Sequence, residues 1–166
     1  MKTDKIYLVG FMGAGKTTVA HALGPRLGWR VEDVDELVEA RERRTVADIF
    51  AEFGEAYFRA AERDVVRQLL GSRHVVVATG GGTFADPENR ALIREDGAAV
   101  WLDLPLETAL DRAPRDGRRP LAGDRVQFEQ LYLSRRAAYQ QAHLRLDASR
   151  APVQELVERI LDWLGY

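Results

Sequence analysis

Gly10-Phe11-Met12-Gly13-Ala14-Gly15-Lys16-Thr17 satisfies the pattern G-x-x-x-x-G-K-[ST] at every fixed position, and the residues on either side supply its context. Upstream, the apolar run at 6–9 reads as a buried strand; downstream, Val19, Leu23 and Leu27 recur at helical spacing. A strand, a glycine-rich loop and a helix in that order make a cradle for a polyphosphate. Glycines permit the tight path, successive N–H groups turn inward, and the helix N-terminus adds its positive dipole end. Gly13, Ala14, Gly15, Lys16, Thr17 and Thr18 are therefore candidate nucleotide-binding positions. Lys16 would sit on the β and γ phosphates, and Thr17 would give its hydroxyl to Mg²⁺ bridging them.

Beyond this loop the chain keeps alternating. Further strand-like runs lie around 29–34, at 75–78, at 98–104 and, more weakly, at 144–146. Between them fall helical spacings: Val46, Ile49, Phe50 and Phe53; Val65, Val66, Leu69 and Leu70; and Val153, Leu156, Val157, Ile160, Leu161 and Leu164. Thr45 with Asp48 three residues on, and Asp86 before Pro87, are helix starts. Such alternation predicts an α/β fold, a five-stranded parallel sheet covered by helices on both faces. At 166 residues the chain matches one domain. The stretch 112–125, with two prolines, two glycines and five arginines, breaks the pattern and reads as a mobile surface loop.

Composition narrows the chemistry. A formal charge of −2, from 24 basic and 26 acidic residues, gives no global field for nucleic acid or a membrane surface, so any anion must be bound locally. The absence of cysteine excludes disulfides, thiolate metal sites and thiol catalysis. No apolar run reaches the 18 or so residues of a membrane span, and the N-terminal residues lead into a strand rather than a signal core, so a cytoplasmic protein is expected. Three lysines stand against twenty-one arginines, read as compositional bias except where an arginine is placed to recognise phosphate or carboxylate.

Ligands of open parallel sheets bind beyond the carboxyl ends of the strands, so those ends must choose among a kinase, a GTPase or ATPase switch, and a module without chemistry. Asp33 and Asp35 close the second strand, where a period of two puts both on one side; they are either a catalytic pair or a solvated turn capping the next helix. Gly80, Gly81 and Gly82 end the third strand, because something approaches that backbone closely or because the turn is unusual. Arg59 and Arg135, taken alone, read as surface arginines, and Glu62 as a surface ion-pair partner of Arg59. No Asn-Lys-x-Asp segment reads guanine, which disfavours a GTPase. His21, His74 and His143 have no metal-ligand spacing.

Taken together, 10–17, Asp-Val-Asp at 33–35, Ala-Asp-Ile-Phe at 47–50, Gly-Glu-Ala-Tyr-Phe-Arg at 54–59, Gly-Gly-Gly at 80–82, Arg-Pro-Leu at 119–121 and Arg-x-x-x-Tyr at 135–139 resemble the shikimate kinases over nearly the whole chain. The resemblance implies a P-loop kinase fold over 1–166, with an acceptor-binding segment at about 33–62 and a lid at about 112–125. It implies a monomer that transfers phosphoryl from ATP, with Mg²⁺, to the 3-hydroxyl of shikimate, in the route to aromatic amino acids. By matching position, Asp33 resembles the residue near the metal, reached through water, and Asp35 the one holding the acceptor hydroxyl. Arg59 and Arg135 resemble the clamp on the acceptor carboxylate, and Gly80 to Gly82 the backbone against which the ring lies. Arg119 resembles the lid arginine that reaches the phosphates, while Arg112 and the turn of Arg150 and Pro152 resemble the adenine-contacting region. The chain departs from the family at Arg43-Arg44-Thr45, where glycine is usual, at Ala122-Gly123 in the lid, and at Ala20 and His21. A gluconate or nucleotide kinase on the same fold is the alternative; it would need a different acceptor pocket.

Overall fold

The computed structural model describes residues 2–112 and 125–166; the expected lid, apart from its two end residues, and Arg119 within it lie outside the described residues. The elements run β1 (Lys5–Val9), α1 (Lys16–Leu27), β2 (Arg30–Asp33), α2 (Val34–Glu42), α3 (Val46–Leu69), β3 (Val75–Ala78), α4 (Pro87–Asp96), β4 (Ala98–Asp103), α5 (Leu106–Arg112), α6 (Arg125–Tyr139), β5 (Leu144–Asp147) and α7 (Val153–Leu164). Five strands form one sheet in the order β2-β3-β1-β4-β5, with every pairing parallel. The α/β expectation holds, and for the reason given: parallel neighbours need helical crossovers, which cover both faces.

Alternation along the strands sorts the core into two layers. Tyr7, Val9, Val75, Val77, Ala99 and Trp101 pack with α3, α4 and α6. Ile6, Leu8, Val76, Ala78, Val100 and Leu102 pack with α1 and α7. Each fully buried valine, leucine or isoleucine contributes about 1.5–3 kcal/mol relative to exposure, so the inner strands, buried on both sides, hold the frame from which the site projects. Opposite the site, the buried Lys5 ammonium meets Asp96 at 2.6 Å and donates to the Leu69 carbonyl, while Tyr7 donates to Asp96 at 2.6 Å. Burial pulls the lysine's pKa down against the pull of Asp96.

Helix starts behave as the sequence indicates. Thr45 accepts from the Asp48 N–H at 3.1 Å, and Asp86 from those of Glu88 and Asn89 at 2.8 and 3.4 Å. The second strand is shorter than expected. Asp33 is its last residue and also caps α2, accepting from Glu36 N–H at 3.2 Å, so Val34 and Asp35 already belong to the helix. Helix α3 is broken at Gly54, whose φ of 84° is open to glycine without a Cβ penalty. At Arg43, the C-cap of α2, the chain turns left-handed at φ 54°, a conformation that glycine takes freely and that an arginine holds at some cost.

Candidate active site

The phosphate loop joins β1 to α1, and its conformation explains its glycines: Gly13 and Gly15 have φ of 81° and 88°. Gly15 is the N-cap of α1, which has no side-chain cap among the described residues, whereas α2, α3 and α4 are capped by Asp33, Thr45 and Asp86. The first-turn N–H groups of α1, with their positive partial charge, are thus left for an anion. Lys16, nearly buried, donates to the Gly10 and Phe11 carbonyls at 2.7 and 2.8 Å. The ammonium therefore lies over its own loop. A cavity of about 400 Å³ opens there, lined by Gly13, Gly15, Lys16, Thr17 and Thr18 on one side and by Asp33, Asp35, Gly80 and Gly81 on the other.

Asp33 and Asp35 do face one cavity, although not through strand periodicity. Asp33 is the cap and Asp35 lies in the first turn of α2, which turns both carboxylates toward the loop. The two readings of the acidic turn, cap and site, are compatible. The Thr17 hydroxyl donates to the second Asp33 oxygen at 2.9 Å. A hydroxyl and a carboxylate in contact are hard oxygen donors that fit Mg²⁺, an ion that takes one or two protein oxygens and completes its shell with phosphates and water. No group of three or more His, Asp or Glu suited to hold a metal occurs among the described residues.

The glycine turn after β3 answers the second open question. None of Gly80, Gly81 and Gly82 has a positive φ, so conformation does not require them. Space does. A Cβ on Gly80 would stand 2.8 Å from an Asp35 carboxylate oxygen, on Gly81 3.1 Å from an Arg135 nitrogen, and on Gly82 2.5 Å from both terminal nitrogens of Arg59. One anionic and two cationic side chains thus converge on three consecutive residues.

Arg59 and Arg135 are not the surface arginines that their local sequence suggests: the Arg59 side chain is only 17% exposed and Arg135 is buried. Arg59 donates to both oxygens of Glu62 at 3.0 and 3.2 Å. Glu62, which its own window places at the surface, is fully buried because the face of α3 that carries it packs on the core with Phe58, Val65 and Val66. Burial raises its pKa, and the Arg59 charge and hydrogen bonds from Arg59 and Thr83 oppose that shift. Helix α6 aims Arg135 through its neighbours: Arg136 pairs with Asp103 at 2.5 Å, Tyr132 donates to the Leu104 carbonyl at 2.5 Å, and Tyr139 donates to the Gly81 carbonyl. Tyr139 lies one helical turn beyond Arg135, which gives the Arg-x-x-x-Tyr spacing a physical use. Phe11 stands edge-on to Phe128 and Tyr132 at 5.2 and 5.4 Å, and the Arg135 guanidinium lies 5.7 Å from its centroid, so the phosphate loop and α6 pack directly. Sequence alone does not single out Phe11, Thr83 and Asp103: the first fills a variable position of the loop, and the other two belong to no motif.

Arg112 reaches the loop, donating to the Gly13 carbonyl at 3.1 Å. Arg150 and Pro152 stand in the turn before α7 and do not line the cavity.

Comparison with known proteins follows the same outline. A family model described as shikimate kinase matches residues 12–165. The shikimate kinase of Persephonella marina is 43% identical over 157 residues, covering 94% of this chain and 96% of that protein. Among solved structures, a shikimate kinase from Acinetobacter baumannii in complex with shikimate superposes with a TM-score of 0.91 at 34% identity, covering 98% of this chain and 93% of that one. The shikimate kinase of Aquifex aeolicus gives 0.89 at 37% identity, with 96% and 95% covered.

Proposed function

This chain belongs to the shikimate kinase family, which uses ATP, and from that premise we propose how its residues phosphorylate the 3-hydroxyl of shikimate. The observation that carries the reading is the convergence of Asp35, Arg135 and Arg59 on Gly80, Gly81 and Gly82. A small polyhydroxy acid needs a cationic fork for its carboxylate, a carboxylate for a hydroxyl, and a flat floor between them. The turn offers all three, and the cavity continues from it to the phosphate loop.

In this reading the N–H groups from Gly13 to Thr18 and the Lys16 ammonium hold the β and γ phosphates. Arg59 and Arg135 hold the acceptor carboxylate, which directs the far side of the ring toward Asp35. Asp35 accepts the hydrogen bond of the 3-hydroxyl and takes its proton as the oxygen bonds to the γ-phosphorus, the bond to the β,γ-bridging oxygen breaks and ADP leaves. Lys16 then faces negative charge that grows on the transferring group, where a preorganised cation acts most. Thr17, and Asp33 through water, would hold Mg²⁺, which supplies charge neutralisation on the phosphates. Arg112 steadies the loop at Gly13, while Arg119, Arg150 and Pro152 keep the nucleotide-side roles that the family resemblance implies. We read residues 1–166 as one kinase domain, acting as a monomer in the cytoplasm, with acceptor binding concentrated in about 33–62 and a lid at about 112–125. No helix among the described residues is long and apolar enough to cross a membrane.

The test is ADP release by the purified protein with MgATP and, in parallel, shikimate, gluconate, a nucleoside monophosphate or no acceptor. Release that depends on shikimate is expected. Equal release with gluconate or the nucleotide, or none with any acceptor despite ATP binding, would remove the acceptor pocket described here.

A further inference from the structure

Thr83, the residue after the three glycines, is fully buried and belongs to none of the motifs. Its backbone N–H already closes the turn on the Gly80 carbonyl at 3.2 Å, so its hydroxyl is not needed for that purpose. The hydroxyl oxygen accepts from the Gly80 N–H at 3.0 Å and donates to Glu62 at 2.9 Å. A hydroxyl has one proton to give. Its acceptor lone pair engages a backbone amide that cannot reverse roles, so the proton points to Glu62, and the same carboxylate receives Arg59 at 3.0 and 3.2 Å. Gly80 thus donates to Thr83, Thr83 to Glu62, and Arg59 to the same carboxylate, so each proton has one assigned direction and both ends converge on Glu62. This arrangement fixes the carboxylate that holds the guanidinium directly over Gly82.

We propose that Thr83 is a positioning residue for acceptor recognition: its hydroxyl ties the glycine turn to the Glu62 carboxylate and thereby sets where Arg59 presents its fork. The proposal rests on the reading that Arg59 binds the acceptor carboxylate. It assigns a role in substrate recognition to a fully buried side chain that does not line the cavity. A turn residue serving the fold alone would affect both substrates alike; a residue acting through Arg59 affects only the acid.

The experiment is steady-state kinetics of Thr83→Val, which keeps the volume and removes the hydroxyl, beside Thr83→Ser, which restores it, with Thr83→Ala in reserve should the valine variant fail to fold. Arg59→Ala is run as the reference. Thr83→Val is expected to raise KM for shikimate roughly tenfold, the scale of losing one hydrogen bond to a charged group. KM for ATP should stay unchanged, and Thr83→Ser should return the shikimate value close to that of the parent. Two results overturn the proposal while leaving the acceptor reading intact: an unchanged shikimate KM in Thr83→Val while Arg59→Ala raises it, or a rise for both substrates that serine does not repair. An unchanged shikimate KM in Arg59→Ala removes the acceptor reading itself, and the role of Thr83 with it.

Discussion

The phosphate loop and the turn after β3 are both rich in glycine, but only the loop needs left-handed backbone. Gly15 is left-handed at φ 88°, and a Cβ there would meet nothing within 4 Å; the backbone requires the residue and the surroundings do not. Gly82 has no left-handed φ, yet a Cβ would stand 2.5 Å from the Arg59 guanidinium. At Gly15 the demand is of conformation alone and at Gly82 of space alone, while Gly10 and Gly13 face both, since a Cβ there would stand 2.6 Å from the Leu102 carbonyl oxygen and 2.9 Å from the Arg112 Cβ. The first kind of demand is local and is written in a short motif, whereas the second depends on side chains from α2, α3 and α6 that arrive only when the sheet is complete. In the proposed reading the division also separates the substrates, with the backbone of the loop serving the donor and side chains around the turn the acceptor.

The contrast can be tested from its strongest consequence downward. Lys16→Ala is expected to lower kcat by roughly 10²–10³-fold, the scale of one preorganised charge donor, with shikimate affinity in a direct titration preserved. Loss of shikimate binding as well would break the separation of the two ends. Next, Gly82→Ala should raise KM for shikimate about tenfold, a change of about 1.4 kcal/mol in binding, with thermal stability nearly retained because the Cβ meets the movable end of a long side chain. Gly15→Ala reverses the pattern: strain of about 1–2 kcal/mol from a left-handed alanine should appear in the unfolding midpoint and in ATP affinity, with the acceptor KM unmoved.

A pH series sharpens the acceptor end. Burial lifts the Glu62 pKa above its ordinary 4.5, so between that value and the folded one the native protein binds more protons than the unfolded chain. Stability then falls as pH rises through this window. Acceptor affinity moves the other way, since protonating Glu62 loosens its hold on Arg59 and raises KM for shikimate as pH falls. Chemical denaturation and kinetics of the parent and Glu62→Gln across the window should show both slopes in the parent and neither from this group in the variant. The smallest effect is expected at Arg43, where a positive φ is met without glycine. Arg43→Gly relieves left-handed strain but adds chain entropy on unfolding, for a net gain of about 1 kcal/mol with both KM values unchanged.

Much of this architecture is legible in the amino-acid sequence. Alternating apolar runs indicate the parallel sheet, and residues 10–17 the phosphate loop, because both depend on neighbours in the chain. The acidic pair reaches one cavity by a geometry other than the strand period: Asp33 caps a helix that starts at Val34, and capping overrides the alternation. Arg59, Glu62 and Arg135 look ordinary in their own windows. Their burial is decided by the packing of α3 and α6 on the glycine turn, to which only the resemblance over the whole chain points. Thr83 has no signature, since its importance lies in the direction of one hydroxyl proton. The abundant arginines divide in the same way. Pairs such as Arg26 with Glu158 and Arg159 with Glu155 lie exposed and contribute little, while Arg59 and Arg135 sit against the glycine turn.

The central claim, that the acceptor is recognised through its carboxylate by the fork over Gly82, is tested most directly by changing ligand and protein together. kcat/KM would be measured for shikimate and for its analogue reduced to the primary alcohol, in the parent and in Arg59→Ala. Removing the carboxylate should cost the parent roughly 10–100-fold, as for hydrogen bonds to a charged group, and should cost Arg59→Ala far less because the partner is already gone. An equal loss in both proteins would show that Arg59 does not read the carboxylate and would contradict the account.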